Sequence, residues 1–121
     1  MLGARPTIGL AVWALLVAAA GCGSADEASC PNDLPAACPS PAPSYSAEVG
    51  LIIQSKCASC HAPGGLEASM PLVTYEQIKA RAPAMLTQVY ACRMPKAGSA
   101  SLTDAERQAL LGWLVCKAPN N

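Results

Sequence analysis

The stretch SKCASCHAPGG, Ser55 to Gly65, holds the only histidine of the chain, placed directly after a Cys-x-x-Cys pair. Three chemistries use such a trio: a zinc site, a redox dithiol, and the covalent attachment of haem. On a helix, Cys57, Cys60 and His61 stand at i, i+3 and i+4 and project from one face. One planar group can then meet all three, its two vinyl groups adding to the thiols while the imidazole beside them reaches the iron. C-x-x-C-H is the sequence signature of that attachment. Zinc needs a fourth ligand, which only the distant Cys92 or Cys116 could supply, and no second paired motif exists. A thioredoxin-type dithiol needs a preceding strand and a βαβ context, whereas a helical pattern leads into this motif. The expected cofactor is a single covalent haem c held by Cys57, Cys60 and His61.

An iron bound by one histidine has a second axial position, and no other histidine can fill it. The candidates are Met70, Met85 and Met94. Met85 lies in a helical apolar pattern with Leu86 and Val89, which reads as core. Met70 follows His61 by only nine residues, too little chain to cross to the opposite face of the ring. Met94 sits in CRMPKAGS, where Pro95 stops a helix and a loop can carry the thioether over the haem, so Met94 is the expected second ligand.

The elements that must position these groups lie behind a leader. Ile8 to Ala20 is an uninterrupted apolar run of 13 positions behind Arg5. It is too short to span a bilayer and has the build of a secretory signal. The AAGC ending resembles a bacterial lipobox, which implies cleavage before Cys22 and lipidation of that cysteine, with residues 1–21 as signal peptide. Residues 22–44, rich in Pro, Ala and Ser, bury too little to fold alone and read as an extended tether. The domain expected over residues 45–118 is all-α, of three to five helices, with 119–121 as a tail. Val49, Ile52, Ile53 and Lys56 share a helical stripe that runs into the haem motif. Thr74 and Gln77 have capping-box spacing and predict a short helix YEQIKA; Pro83 suits the first turn of a separate helix, PAMLTQVYA. Thr103 and Glu106 predict the start of the last helix, where Leu110, Trp113 and Leu114 share a face. No segment alternates like a strand.

CASCH, a later RMP loop and a final amphipathic helix with Leu110, Trp113 and Leu114 together resemble a small class I cytochrome c, in the lipid-anchored form of bacterial envelopes. The resemblance covers Tyr45 to Lys117. It implies that the helix before the haem motif crosses the last helix, with Gly50 and Trp113 in the contact. It also implies that a proline carbonyl, here that of Pro71, accepts the histidine Nδ1 proton, which places Met70 on the histidine side of the haem and raises the basicity of the ring.

Four cysteines remain once Cys22, Cys57 and Cys60 are assigned. An oxidising compartment pairs them. The expected pairs are Cys92 with Cys116, clamping the methionine loop to the last helix, and Cys30 with Cys38 as a local loop. With both axial positions filled, the iron can change oxidation state but offers no vacancy to a substrate. That favours an electron carrier anchored to the envelope, facing the periplasm or at the outer membrane, over an enzyme. The alternatives are an open-site haem protein, peroxidase-like or gas-sensing, and a haem-bearing module of a larger complex. No acid/base constellation supports catalysis, no small-molecule substrate is expected, and the near-neutral charge excludes a nucleic-acid partner. The partners are redox proteins of the envelope and, through the lipid, a membrane. Lys56, Lys79, Arg81, Arg93 and Lys96 lie near the haem motif or the methionine loop and could steer an acidic partner.

Overall fold

A computed structural model describes residues 29–121; the leader, Cys22 and the first part of the tether lie outside the described residues. Among the described residues the chain is helical without strands: a π-helical turn Tyr45–Val49 runs into α1 (Gly50–Lys56), followed by α2 (Ala58–His61), α3 (Tyr75–Tyr90) and α4 (Asp104–Val115). Ser44 starts the first segment, its Oγ accepting from the Ala47 amide at 3.2 Å. Both expected capping boxes form. Thr74 and Gln77 start α3, and Thr103 and Glu106 start α4, so two otherwise unpaired amides are satisfied at each end.

The two helices expected on either side of Pro83 are one. Ile78, Ala82, Met85 and Val89 form a single buried stripe along α3 that passes under the proline without a break. The proline removes one amide bond, but burying a continuous stripe outweighs what that bond contributes, since a net hydrogen bond is worth about 1 kcal/mol and each large apolar side chain roughly 1.5–3 kcal/mol. That stripe meets Val49 and Ile53 from the first helical segment and Leu110, Leu111, Trp113 and Leu114 from α4.

The crossing of the first and last helices differs from the expected one. Gly50 and Trp113 are each packed against Tyr45, whose ring stacks on Trp113 at 5.6 Å between centroids and meets Tyr75 edge-on at 5.1 Å. A Cβ on Gly50 would come within 2.9 Å of the Tyr45 carbonyl, so glycine is needed there for the tyrosine rather than for the last helix. Tyr45 is thus in contact with both Gly50 and Trp113.

The larger difference concerns the expected tether. From Cys30 to Asn121 the chain is one packed body, and residues 30–43 form a strap across α4. The cysteines pair as Cys30–Cys92 and Cys38–Cys116, neither of which is an expected pair. Pro39 and Pro43 pack on Gly112, where a Cβ would press to 3.1 and 3.3 Å of their rings. Asp33 makes an ion pair with Arg107 at 2.7 Å. The tail is also fastened. The Tyr45 amide donates to Asn121 Oδ1 at 2.8 Å, the Ser46 amide donates to the Asn121 carbonyl, and Trp113 Nε1 donates to the Pro119 carbonyl at 2.9 Å. A segment with too few apolar groups to fold alone is held by covalent and polar links to a core that does fold.

Candidate haem-attachment site

The helix leading to the motif ends at Lys56, and Cys57, with φ −116° and ψ −36°, joins it to the single turn α2. The joint stays helical enough for the His61 amide to reach the Cys57 carbonyl at 2.9 Å, so the i, i+4 relation survives. Cys57, Cys60 and His61 consequently line one cavity of about 290 Å³. After the motif the chain folds back sharply: the Gly65 amide donates to the Ala62 carbonyl and the Glu67 amide to that of Cys60, both at 2.9 Å. A Cβ on Gly65 would overlap the Cys60 carbonyl, so this return requires glycine.

His61 is oriented by a backbone carbonyl. Nδ1 lies 2.8 Å from the Met70 oxygen. A carbonyl only accepts, so Nδ1 carries the proton and Nε2 keeps its lone pair. The acceptor is thus Met70 rather than the expected Pro71, one residue earlier, although Met70 does lie on the histidine side. The Leu72 amide donates to the His61 carbonyl at 2.8 Å, which fixes the segment from both ends.

Met94 faces the same cavity from the other direction, together with Pro95 and Lys96. Its loop leaves α3 through a C-terminal motif in which the Cys92 amide reaches Val89 and the Arg93 amide reaches Gln88, with Cys92 in the left-handed region at φ 55°. Glycine is usual at that position; here a disulfide holds the residue in place. Lys96 closes the far end of the loop with an ion pair to Glu67 at 2.9 Å, tying the methionine side to the histidine side. Buried Met85 also lines the cavity, from within the core cluster, and so does Met70, from the segment whose carbonyl holds His61.

The donor set fits covalent haem and little else. Of the six described cysteines only Cys57 and Cys60 are free thiols, and both face the cavity. Burial, with the neighbouring Cys60 adding to it, pushes the Cys57 thiol up to about 11, opposite to the lowered value a redox Cys-x-x-Cys requires. Cys92 and Cys116, the fourth zinc ligands expected from the sequence, are consumed in disulfides. The remaining wall is mostly aliphatic, with Leu66, Leu72, Val89, Leu102 and Leu110, which suits the apolar faces of a porphyrin. Sequence reasoning missed Leu66, a largely exposed side chain at the cavity rim, because no periodicity marks a loop residue.

Fold and site together define a small all-helical c-type cytochrome domain with covalently bound haem c. The chain matches the family of cytochrome C oxidase, cbb3-type, subunit III over residues 47–114, more than half of its length, and it belongs to that family. No curated protein and no solved structure matches it. Domains of this family work in single-electron transfer. Among the described residues no helix is long and apolar enough to cross a membrane.

Proposed function

We propose that this protein is an exported, lipid-anchored electron carrier in which Cys57 and Cys60 would hold haem c, with His61 and Met94 as the side chains that would ligate its iron. The observation that carries this reading is the convergence of the two free thiols, an imidazole with its Nε2 lone pair available, and the loop methionines Met94 and Met70 on a single largely apolar cavity, Met70 being tied to the histidine side through its carbonyl. When bound, the haem supplies a one-electron change of oxidation state at its iron. The chain supplies the rest. The Met70 carbonyl fixes the His61 ring and increases its donor strength. Met94 brings a soft, neutral thioether, which favours the reduced state and a higher potential. The apolar part of the wall would shield much of a bound haem from water.

Export and anchoring rest on the apolar run and on Cys22. The strap alters the consequence of that anchor. Only seven residues lie between Cys22 and the disulfide at Cys30, eight Cα-to-Cα steps with a reach of at most about 28 Å when fully extended. That is comparable to the width of a domain this size, so the lipid would hold the domain at the membrane surface rather than far above it. Redox partners are therefore membrane-embedded or membrane-bound proteins of the envelope. The case for a basic steering patch is weaker than the charge count implies. Lys56 and Lys96 are paired with Glu106 and Glu67, and Lys79 donates to the carbonyls of Lys117 and Ala118 just past α4. Arg81 and Arg93 are the cations around the cavity and its loop without an acidic partner among the described residues.

Replacing both Cys57 and Cys60 with Ala should abolish haem that survives acid extraction. Met94→Ala should keep that haem, lose the methionine-to-iron band at the red end of the spectrum, lower the midpoint potential and admit carbon monoxide. If Met70→Ala is instead the variant that loses the band, the ligand assignment is wrong. Rapid carbon monoxide binding by the wild-type protein would favour the open-site alternative.

A further inference from the structure

Outside the cavity, chemistry-bearing side chains converge at one other place, the end of α3 from which the methionine loop departs. Arg107 is buried there under the strap. Its guanidinium donates to the carbonyls of Val89 and Tyr90 at 2.5 and 3.1 Å and grips both carboxylate oxygens of Asp33 at 2.7 and 2.8 Å. Gln108 adds a bond to Asp33 at 3.0 Å, and the Tyr90 hydroxyl donates to Asn32. Cys92, immediately beyond, is crosslinked to Cys30. The amides of Arg93 and Met94 then both reach the Gln88 carbonyl, at 2.9 and 3.2 Å. Met94 thus sits two residues from a covalent crosslink, with its own amide still tied to the helix.

The apolar cluster itself does not include this arrangement. The buried cluster closes between α1, α3 and α4 with neither Cys30 nor Asp33 in it, and the Cys38–Cys116 disulfide already fastens the strap to α4. What the first disulfide and the ion pair restrain is the root of the loop. A thioether is a weak donor, so its occupancy depends on how much freedom the loop would regain by letting go. Each backbone residue that is already ordered removes about 1–2 kcal/mol of that opposing entropy.

We propose that Cys30 and Asp33 are positioning residues for Met94: the strap, through the disulfide and the Arg107 ion pair, preorganises the methionine loop and thereby sets the axial ligation and the potential of the haem. The inference rests on Met94 being the axial ligand. It assigns the segment between anchor and domain a role in tuning the redox centre.

The test uses the full-length holoprotein. Replacing Cys30 and Cys92 together with Ser removes the crosslink without leaving a stray thiol near the iron. With covalent haem retained, the oxidised protein should lose much of its methionine-to-iron band, its midpoint potential should fall, and carbon monoxide should bind at least about tenfold faster, the factor that one residue's ordering is worth. The paired control, Cys38→Ser with Cys116→Ser, opens a loop of similar span, 78 against 62 residues. It should lose thermal stability while its band, potential and carbon monoxide kinetics stay as in wild type. Should the first variant fail to accumulate, Asp33→Asn keeps both disulfides and should move the same three readouts in the same direction by a smaller amount. A band that depends on Met94 yet is unmoved by the crosslink and Asp33 variants overturns this proposal alone, as does an equal spectroscopic change in the control. Absence of any Met94-dependent band in the wild type overturns the ligand assignment and this proposal with it.

Discussion

Asp33→Asn is the substitution that most directly measures what the strap contributes to the fold. The Asp33 carboxylate takes two charge-assisted bonds from Arg107, whose side chain is only 9% exposed. Such bonds are worth about 1.5–3 kcal/mol each, and asparagine can keep one of them as a neutral bond of about 1 kcal/mol. The guanidinium retains the Val89 and Tyr90 carbonyls, so it is not left without partners. The net cost should be about 2–5 kcal/mol, which for a domain of this size lowers Tm by roughly 10–40 °C. The pH dependence gives the sharper check. The Arg107 side-chain bonds to Asp33 hold its carboxyl below the ordinary value of 3.8, against a smaller opposing effect of burial. A lowered folded-state value means that the stabilisation is fully present above about pH 4 and is lost as pH falls through the folded value. Wild type and Asp33→Asn should therefore differ by their full margin at pH 7 and converge as the pH is lowered through the depressed folded-state value. Thermal melts of the oxidised holoprotein, followed by far-ultraviolet circular dichroism, read this directly. A gap that stays constant from pH 7 to pH 3 would show that the ion pair is not its source, and no gap at pH 7 would refute the assignment of the strap as a structural element.

Gly65→Ala should force the return after the haem motif away from the Cys60 carbonyl, at a cost of about 1–3 kcal/mol, and should lower the yield of covalent haem measured by pyridine haemochrome; an unchanged yield and melt would mean the turn has room that the geometry denies. Cys22→Ser should release the protein from membranes with its haem spectrum intact, and persistence in the membrane pellet after a high-salt wash would eliminate lipidation at Cys22. Removing Cys38 and Cys116 should cost about 2–5 kcal/mol, near the 4–5 kcal/mol of the chain-entropy relation for a loop of 78 residues, measured by urea denaturation; a midpoint equal to that of wild type would mean the strap is held without it.

The sequence alone determined what depends on neighbours along the chain. Cys57, Cys60 and His61 need only helical spacing to share a face, so C-x-x-C-H could be read as a haem site before any packing was known. The capping boxes at Thr74 and Thr103 are likewise settled within four residues, and the stripes of α1 and α4 announce their buried faces through their period. The structure places Met94 on the cavity wall, as a methionine and a proline at the end of a helical pattern led one to expect, but it places Met70 and Met85 there as well. Tertiary structure decided everything that required two distant segments to meet. Pro83 lies inside one helix because the stripe beneath it packs continuously on α4, and burial overrides a local breaker. The His61 acceptor shifted from Pro71 to Met70 because a carbonyl's aim follows from the path of the loop, which residue type does not encode. Above all, the Pro- and Ser-rich segment looked free because its composition cannot support a core, yet Cys30, Asp33, Cys38 and Asn32 each meet a partner at least 58 residues away. Cysteine spacing permits three pairings of four thiols and does not choose among them. The choice was made by the fold, which lays the strap over α4 and brings Cys30 to the root of the methionine loop and Cys38 to the end of the last helix.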